Sequence, residues 1–309
     1  MAGLALPSRL PVPALLQAQI EAAARSFLAP AGEEALDFAS PPGEPALVAP
    51  DSVSWRVFKN FVALYVGGVA AVLLELAEPS VRSGVLDHSG FHEDPVRRMR
   101  RTGLAAMTSV YGARSRAEAM IAGVVRLHET VSGVTPGGHA YQANDPELLR
   151  WVHATAVFGF GQAYHLYVRP FAEDEFDRLF QEASPAGRLY GVPDPVGSTA
   201  ELQALFAAMR GRLEPSPALF EFIAVMRKAP VLPRPVRRIQ RLLVRAAVDI
   251  TPGWARARLR LGPRFGLRSW QRPLVQQLGA FADRIPVRSS PPVQACLRLG
   301  LDEDYLYLG

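Results

Sequence analysis

The stretch FVALYVGGVAAVLLELAEP, Phe61 to Pro79, decides what kind of fold this chain adopts. Its cleanly apolar part runs to about fifteen residues before Glu75 and Glu78, short of the ~20 that a helix needs to cross a bilayer. Gly67-Gly68 also interrupts it, so the pattern predicts a buried core helix. A second apolar run, LLRWVHATAVFGFGQAYHLYV at residues 148–168, is hydrophobic almost all round. It follows Asn144 or Asp145 as cap, Pro146 in the first turn and Glu147 near the positive helix end, and it stops at Arg169-Pro170. Two helices with no polar face need other helices to cover them.

Working outward, helical periodicity extends over Trp55–Glu78, Pro95–Tyr111, Ser115–Ser132, Pro146–Tyr167, Glu173–Ala183 and Ala200–Arg212. Further helices are expected near Pro217–Arg227, Pro235–Ala247, Pro252–Leu261 and Trp270–Asp283. Alternating, strand-like runs are almost absent. The expected class is all-α, a single large multi-helix domain with a core-buried pocket. Residues 1–50 read as a proline-rich arm with one helical patch near Pro13–Phe27. Residues 51–212 read as the helical core, and 213–309 as arginine-rich helices packed on it.

The chain has 309 residues, of which 49% are hydrophobic and 20% charged, a globular composition. Lys59 and Lys228 are the only lysines among 34 basic residues. That bias comes without a finger, basic zipper or stacking motif, so nucleic acid is not an expected partner. Cys296 stands alone, which forbids an internal disulfide and thiolate metal clusters. The N-terminal stretch shows no charged region ahead of a long apolar run and no twin arginine, so a cytoplasmic location is expected. The arginines from Arg234 to Arg260 recur on helices that also carry leucine and valine. They read as a solvated face, or as a patch for peripheral contact with acidic lipid or an anionic carrier protein.

His128 poses the chemical question. Ile121, Val124, Val125, His128 and Val131 share one helical face, with Ser115 and Glu118 as a capping box and Gly133 as a stop. An imidazole on an apolar stripe is either a core histidine bonded to a neighbour or a metal or haem ligand. His153, on the second apolar helix, allows the same two readings. Arg98, Arg101 and Thr102 fall at i, i+3 and i+4, which gathers two guanidiniums and a hydroxyl on one face. That set suits an anion, a propionate or polarised oxygen, or else forms a basic surface, with Arg97 and Arg100 turned to water. His88 and His92 stand four apart, but Gly90 separates them and no glutamate follows the first, so the zinc-protease pattern fails. No nucleophile elbow, phosphate loop, dinucleotide fingerprint or Glu-x-x-His di-iron pair is present.

Taken in order, the blocks DHS (87–89), DPVRRMRRT (94–102), VVRLHETVSGVTPGGHAYQANDPELLRWVHAT (124–155) and GVPDP (191–195) resemble the mpaB and rubber-oxygenase (latex-clearing protein) catalytic-domain family. The resemblance covers Trp55 to Arg212 and continues weakly through WARARLRLG near the C-terminus. It implies a helical protein that holds haem b through one histidine and cleaves carbon–carbon double bonds with dioxygen. The matching histidine is His128, and Arg98, Arg101 and Thr102 match the family's residues near the haem. Glu75 is the candidate for the family's distal glutamate. Gly67 and Gly68 are expected to let the macrocycle approach the backbone, and His153 is a rival or second ligand for the iron. The implied substrate is a hydrophobic, unsaturated small molecule. The alternatives are a haem protein of another activity, or an iron-free protein that binds apolar ligands or membrane surfaces.

Overall fold

A computed structural model describes residues 13–28, 36–90, 94–228 and 237–308. At its centre, α3 (Phe61–Glu75) lies against α7 (Pro146–Tyr167), the two apolar segments read from the sequence. Asn60 starts α3 by accepting from Ala63 N, and Asp145 starts α7 by accepting from Glu147 N and Leu148 N. The two backbones meet where glycine faces glycine. A Cβ on Gly67 would lie 2.6 Å from Phe160 Cα, and one on Gly159 would lie 2.4 Å from Gly67 O. Gly67 and Gly68 therefore do not break the helix, which runs unbroken through them, and neither lines the cavity described below. The expectation that they admit a macrocycle is corrected: Gly67 serves helix packing.

The remaining helices wrap this pair. They are α1 (Ala14–Leu28), α2 (Val53–Phe58), α4 (Pro79–His88), α5 (Pro95–Tyr111), α6 (Arg114–Glu129), α8 (Glu175–Leu189), α9 (Thr199–Met209) and α10 (Pro217–Lys228). In the last third come α11 (Arg237–Ile250), α12 (Gly253–Arg258), α13 (Arg272–Ala282) and α14 (Pro291–Arg298). Among the described residues the only strands are β1 (Ser132–Val134) and β2 (Ala140–Gln142), an antiparallel pair in register Gly133↔Tyr141. The fold is all-α. No single described helix is long and apolar enough to cross a membrane, and α3 bends by 108° into α4.

Several boundaries differ from the sequence reading, each for a reason visible in the side-chain bonds. The segment expected as one helix from Trp55 divides at Lys59-Asn60, because the Asn60 side chain caps a new helix. Glu78 then caps α4 by accepting from Val81 N. The expected capping box at Ser115 does not form. Helix α6 begins one residue earlier, and the Ser115 amide and hydroxyl both donate to Glu44 instead, at 2.6 and 3.0 Å. Gly133 is not a helix stop but a strand residue, where a Cβ would meet the Tyr141 hydroxyl at 2.7 Å.

Residues 36–50 are more than a draped arm. Phe38 and Val48 are core residues, and Val48 O accepts from Trp55 Nε1 at 3.0 Å. Arg298 on α14 donates to Phe38 O and Glu44 O, and Gly43 N donates back to Arg298 O. Several C-terminal arginines are engaged in the same way. Arg272 and Arg256 pair with Asp249, Arg258 reaches Leu213 O and Gly211 O, and Arg245 reaches Gly266 O. Arg234, His92 and Glu93 lie outside the described residues.

Candidate active site

Beside the α3–α7 pair the protein encloses a cavity of about 1330 Å³ that opens to solvent. A site for a single small ligand spans roughly 300–1000 Å³, so this one has room for more. Its walls are mostly apolar, with Leu104, Val124, Leu148, Val152 and Phe160 among them. Glu75, Arg98, Arg101, Thr102, His128 and His153 border it, from four different helices. The structure thus brings the candidate site residues to one cavity, Gly67 and Gly68 excepted.

Glu75 is the last residue of α3, and what exposure it keeps is to the cavity, since protein surrounds it. Burial pushes its carboxyl up to about 7, and the Arg98 guanidinium opposes that rise. Arg98 is lowered by the same burial and supported by Glu75, and its Nε donates to Ser89 Oγ at 2.9 Å. The expected triplet on α5 divides. Arg98 points inward, whereas Arg101 and Thr102 are exposed at the outer wall, and Thr102 Oγ1 donates to Arg98 O at 3.1 Å. Arg97, expected to face water alone, also lines the cavity, while Arg100 is half-buried rather than exposed.

His128 occupies the last turn of α6, half-buried. Burial lowers its pKa, and the Asn144 side chain counters this. No hydrogen bond of ordinary geometry closes between them: His128 Nδ1 and Asn144 Oδ1 are both buried without a partner. His153 is held differently. Its Nε2 lies 3.2 Å from Ala183 O, and because a carbonyl only accepts, that nitrogen carries the proton. Its Nδ1 is buried without a partner. Gly187 makes room for the ring, since a Cβ there would lie 2.8 Å from Nε2. With one nitrogen engaged and the other enclosed, His153 offers the cavity no lone pair in this geometry.

Sequence reasoning missed Asn144 and Ser89. Asn144 entered only as an alternative cap, and the signal was available: Asn144 and Asp145 both precede Pro146, but one residue suffices to cap. Asp145 does so, which leaves the Asn144 amide to donate to Val125 O at 3.2 Å.

A largely apolar cavity bordered by a carboxyl group raised toward neutrality by burial and by two imidazoles is a candidate active site. The family model for the catalytic domain of ER-bound oxygenase mpaB/B′ and rubber oxygenase matches residues 55–284, well over half of the chain, and the protein belongs to that family. The match extends beyond the blocks quoted above and takes in the helices from α10 to α13. No curated protein matches the chain, and no solved structure does. Membership marks the protein as an oxygenase-type oxidoreductase, with dioxygen and a small molecule as its reactants.

Proposed function

We propose that the protein is a haem b-dependent oxygenase acting with dioxygen on a hydrophobic, unsaturated small molecule, with His128 as the single protein ligand to iron. The observation that carries this reading is the convergence of His128, Glu75 and Arg98 on one apolar cavity too large for a lone small ligand. The residues fit the group. A neutral imidazole with a depressed pKa is a competent iron ligand, and Arg98 and Arg101 suit its propionates.

Haem held by His128 would supply the dioxygen-activating chemistry. The chain's own groups do the rest. Apolar walls from α5, α6 and α7 bind an alkene and exclude water, which strengthens every charge interaction inside. Glu75, poised near pH 7, takes or returns a proton at its carboxyl oxygens. Arg98 keeps that carboxyl from rising further and supplies fixed positive charge where negative charge develops. Arg101 and Thr102, at the outer wall, meet what enters.

The test is an absorption spectrum of the purified protein, with and without added haemin. A Soret band that disappears in His128→Ala and survives in His153→Ala supports the reading. The reverse moves the ligand to His153. A folded protein that takes up no haemin favours an iron-free protein for apolar ligands. Dioxygen consumption with alkenes then separates an oxygenase from a haem protein of another activity.

A further inference from the structure

We infer that Asn144 sets the tautomer of His128, so that Nδ1 carries the ring proton and Nε2 turns its lone pair to the cavity. The purpose of this arrangement rests on the reading of His128 as iron ligand; the arrangement itself rests on geometry.

Asn144 sits at the junction of the β-hairpin and α7. Its neighbour Asp145 is fixed by capping two backbone amides, and its own Nδ2 donates to Val125 O at 3.2 Å. With the amide nitrogen committed to α6, the carboxamide cannot flip without losing that bond. Oδ1 is therefore held in place, buried and without a partner. Three residues after Val125 on the same helix, His128 Nδ1 is likewise buried and without a partner. The Asn144 bond to Val125 O, one helical turn before His128, brings the carboxamide up to the ring's side of α6.

A buried polar atom left unpaired is costly, and a hydrogen bond between Nδ1 and Oδ1 would satisfy both of these atoms at once. An amide oxygen only accepts, so Nδ1 donates. In a neutral imidazole the other nitrogen then keeps its lone pair. Nε2 is not among the enclosed, partnerless atoms, and His128 borders the cavity. The ring is thereby oriented before any ligand arrives, as positioning partners of metal-binding histidines do. Ala183 O imposes the opposite tautomer on His153 and turns it away from this role.

The experiment is nitrogen NMR on the full chain with labelled histidine, without added haem, at a pH above the ring's titration; His128→Gln assigns the signal. In the wild type, Nδ1 is expected as the protonated nitrogen and Nε2 as the unprotonated one. Asn144→Leu is expected to shift the population toward Nε2–H, and Asn144→Asp, which retains an acceptor, to keep Nδ1–H. On titration with haemin, Asn144→Leu is expected to bind about ten- to a hundredfold more weakly than the wild type, with Asn144→Asp close to it. A wild-type ring in the Nε2–H form overturns the inference, and so does a tautomer indifferent to Asn144→Leu. The wild-type spectrum is decisive even where the leucine variant fails to fold. A chain that takes up no haemin but shows Nδ1–H at His128 refutes the ligand role and leaves the tautomer assignment standing.

Discussion

Glu75, at the end of α3, and Arg98, on α5, face the same cavity and shift each other's ionisation through space without closing an ion pair. A carboxyl held in a dry wall beside a fixed positive charge titrates where a proton can both arrive and leave at neutral pH. The sign of its effect on stability follows. Its folded pKa of about 7 lies above the ordinary 4.5, so the folded state holds the extra proton. Its stabilising contribution is fully present below 4.5 and is lost as pH rises through 7. Glu75→Gln should therefore gain on the wild type as pH rises, by about 1–3 kcal/mol near pH 8, with little difference near pH 4. Denaturant midpoints measured at both values check this. Turnover of an alkene should rise with pH through about 7 in the wild type and be low and flat in the variant.

Removing the partner charge should act in the opposite sense to a loss of burial. In Arg98→Met the Glu75 carboxyl loses the one group that lowers it, so its titration should move further up, by up to about 1 unit. Carbon NMR of the labelled glutamates would follow the shift. A Glu75 titration that stays put or falls would show that the two groups do not face each other.

Adjacent glycines on α3 should behave differently. A methyl at Gly67 meets the α7 backbone at 2.6–2.7 Å, where nothing flexible can yield, whereas at Gly68 the nearest atom is Phe160 Cε1 at 3.7 Å. Gly67→Ala is expected to destabilise by at least about 1–3 kcal/mol through overpacking. Gly68→Ala is expected to be neutral or to stabilise by up to about 1 kcal/mol, because alanine is the better helix former. Thermal unfolding of the two single variants makes the comparison directly.

Arg212 bridges Glu78, 2% exposed, and Glu147 at the first turn of α7. Arg212→Met leaves the Glu78 carboxylate buried without its counter-charge. Because Arg212 is itself 37% exposed, the expected cost is about 2–3 kcal/mol, below that of a fully buried pair. Additional loss of Glu78 in a double variant should recover part of it, which a double-mutant cycle measures.

What the sequence disclosed, and what it withheld, divides along the range of the forces involved. The α3 and α7 segments were legible because hydrophobic patterning is local and continuous, and the Asp145-Pro146 start of α7 because capping acts over three residues. The break at Asn60, the helix α4 and the α14 helix were not legible. Each is short, and each is held by distant partners, such as Arg82 bonded to Glu214. Ser115 misled because its cap role is filled by Glu44, seventy-one residues away. The site shows the same division. His128 stood out as an imidazole on an apolar stripe, but nothing local told it from His153; the difference lies in Ala183 O, which only the packing of α8 supplies. The α5 triplet was read from spacing and from the family resemblance, and neither can say that one arginine turns inward while its neighbours stay at the outer wall.

The hold of Arg298 on the Phe38 carbonyl has a consequence for how the protein is made. Phe38 and its neighbours form part of the cavity wall, and the guanidinium that fastens them is encoded 260 residues later. On the ribosome Arg116 can engage Asp37 O early, whereas the hold on the Phe38 carbonyl waits for α14 to emerge. A chain cut before α14 would keep the α3–α7 pair and lose this clamp on the cavity wall.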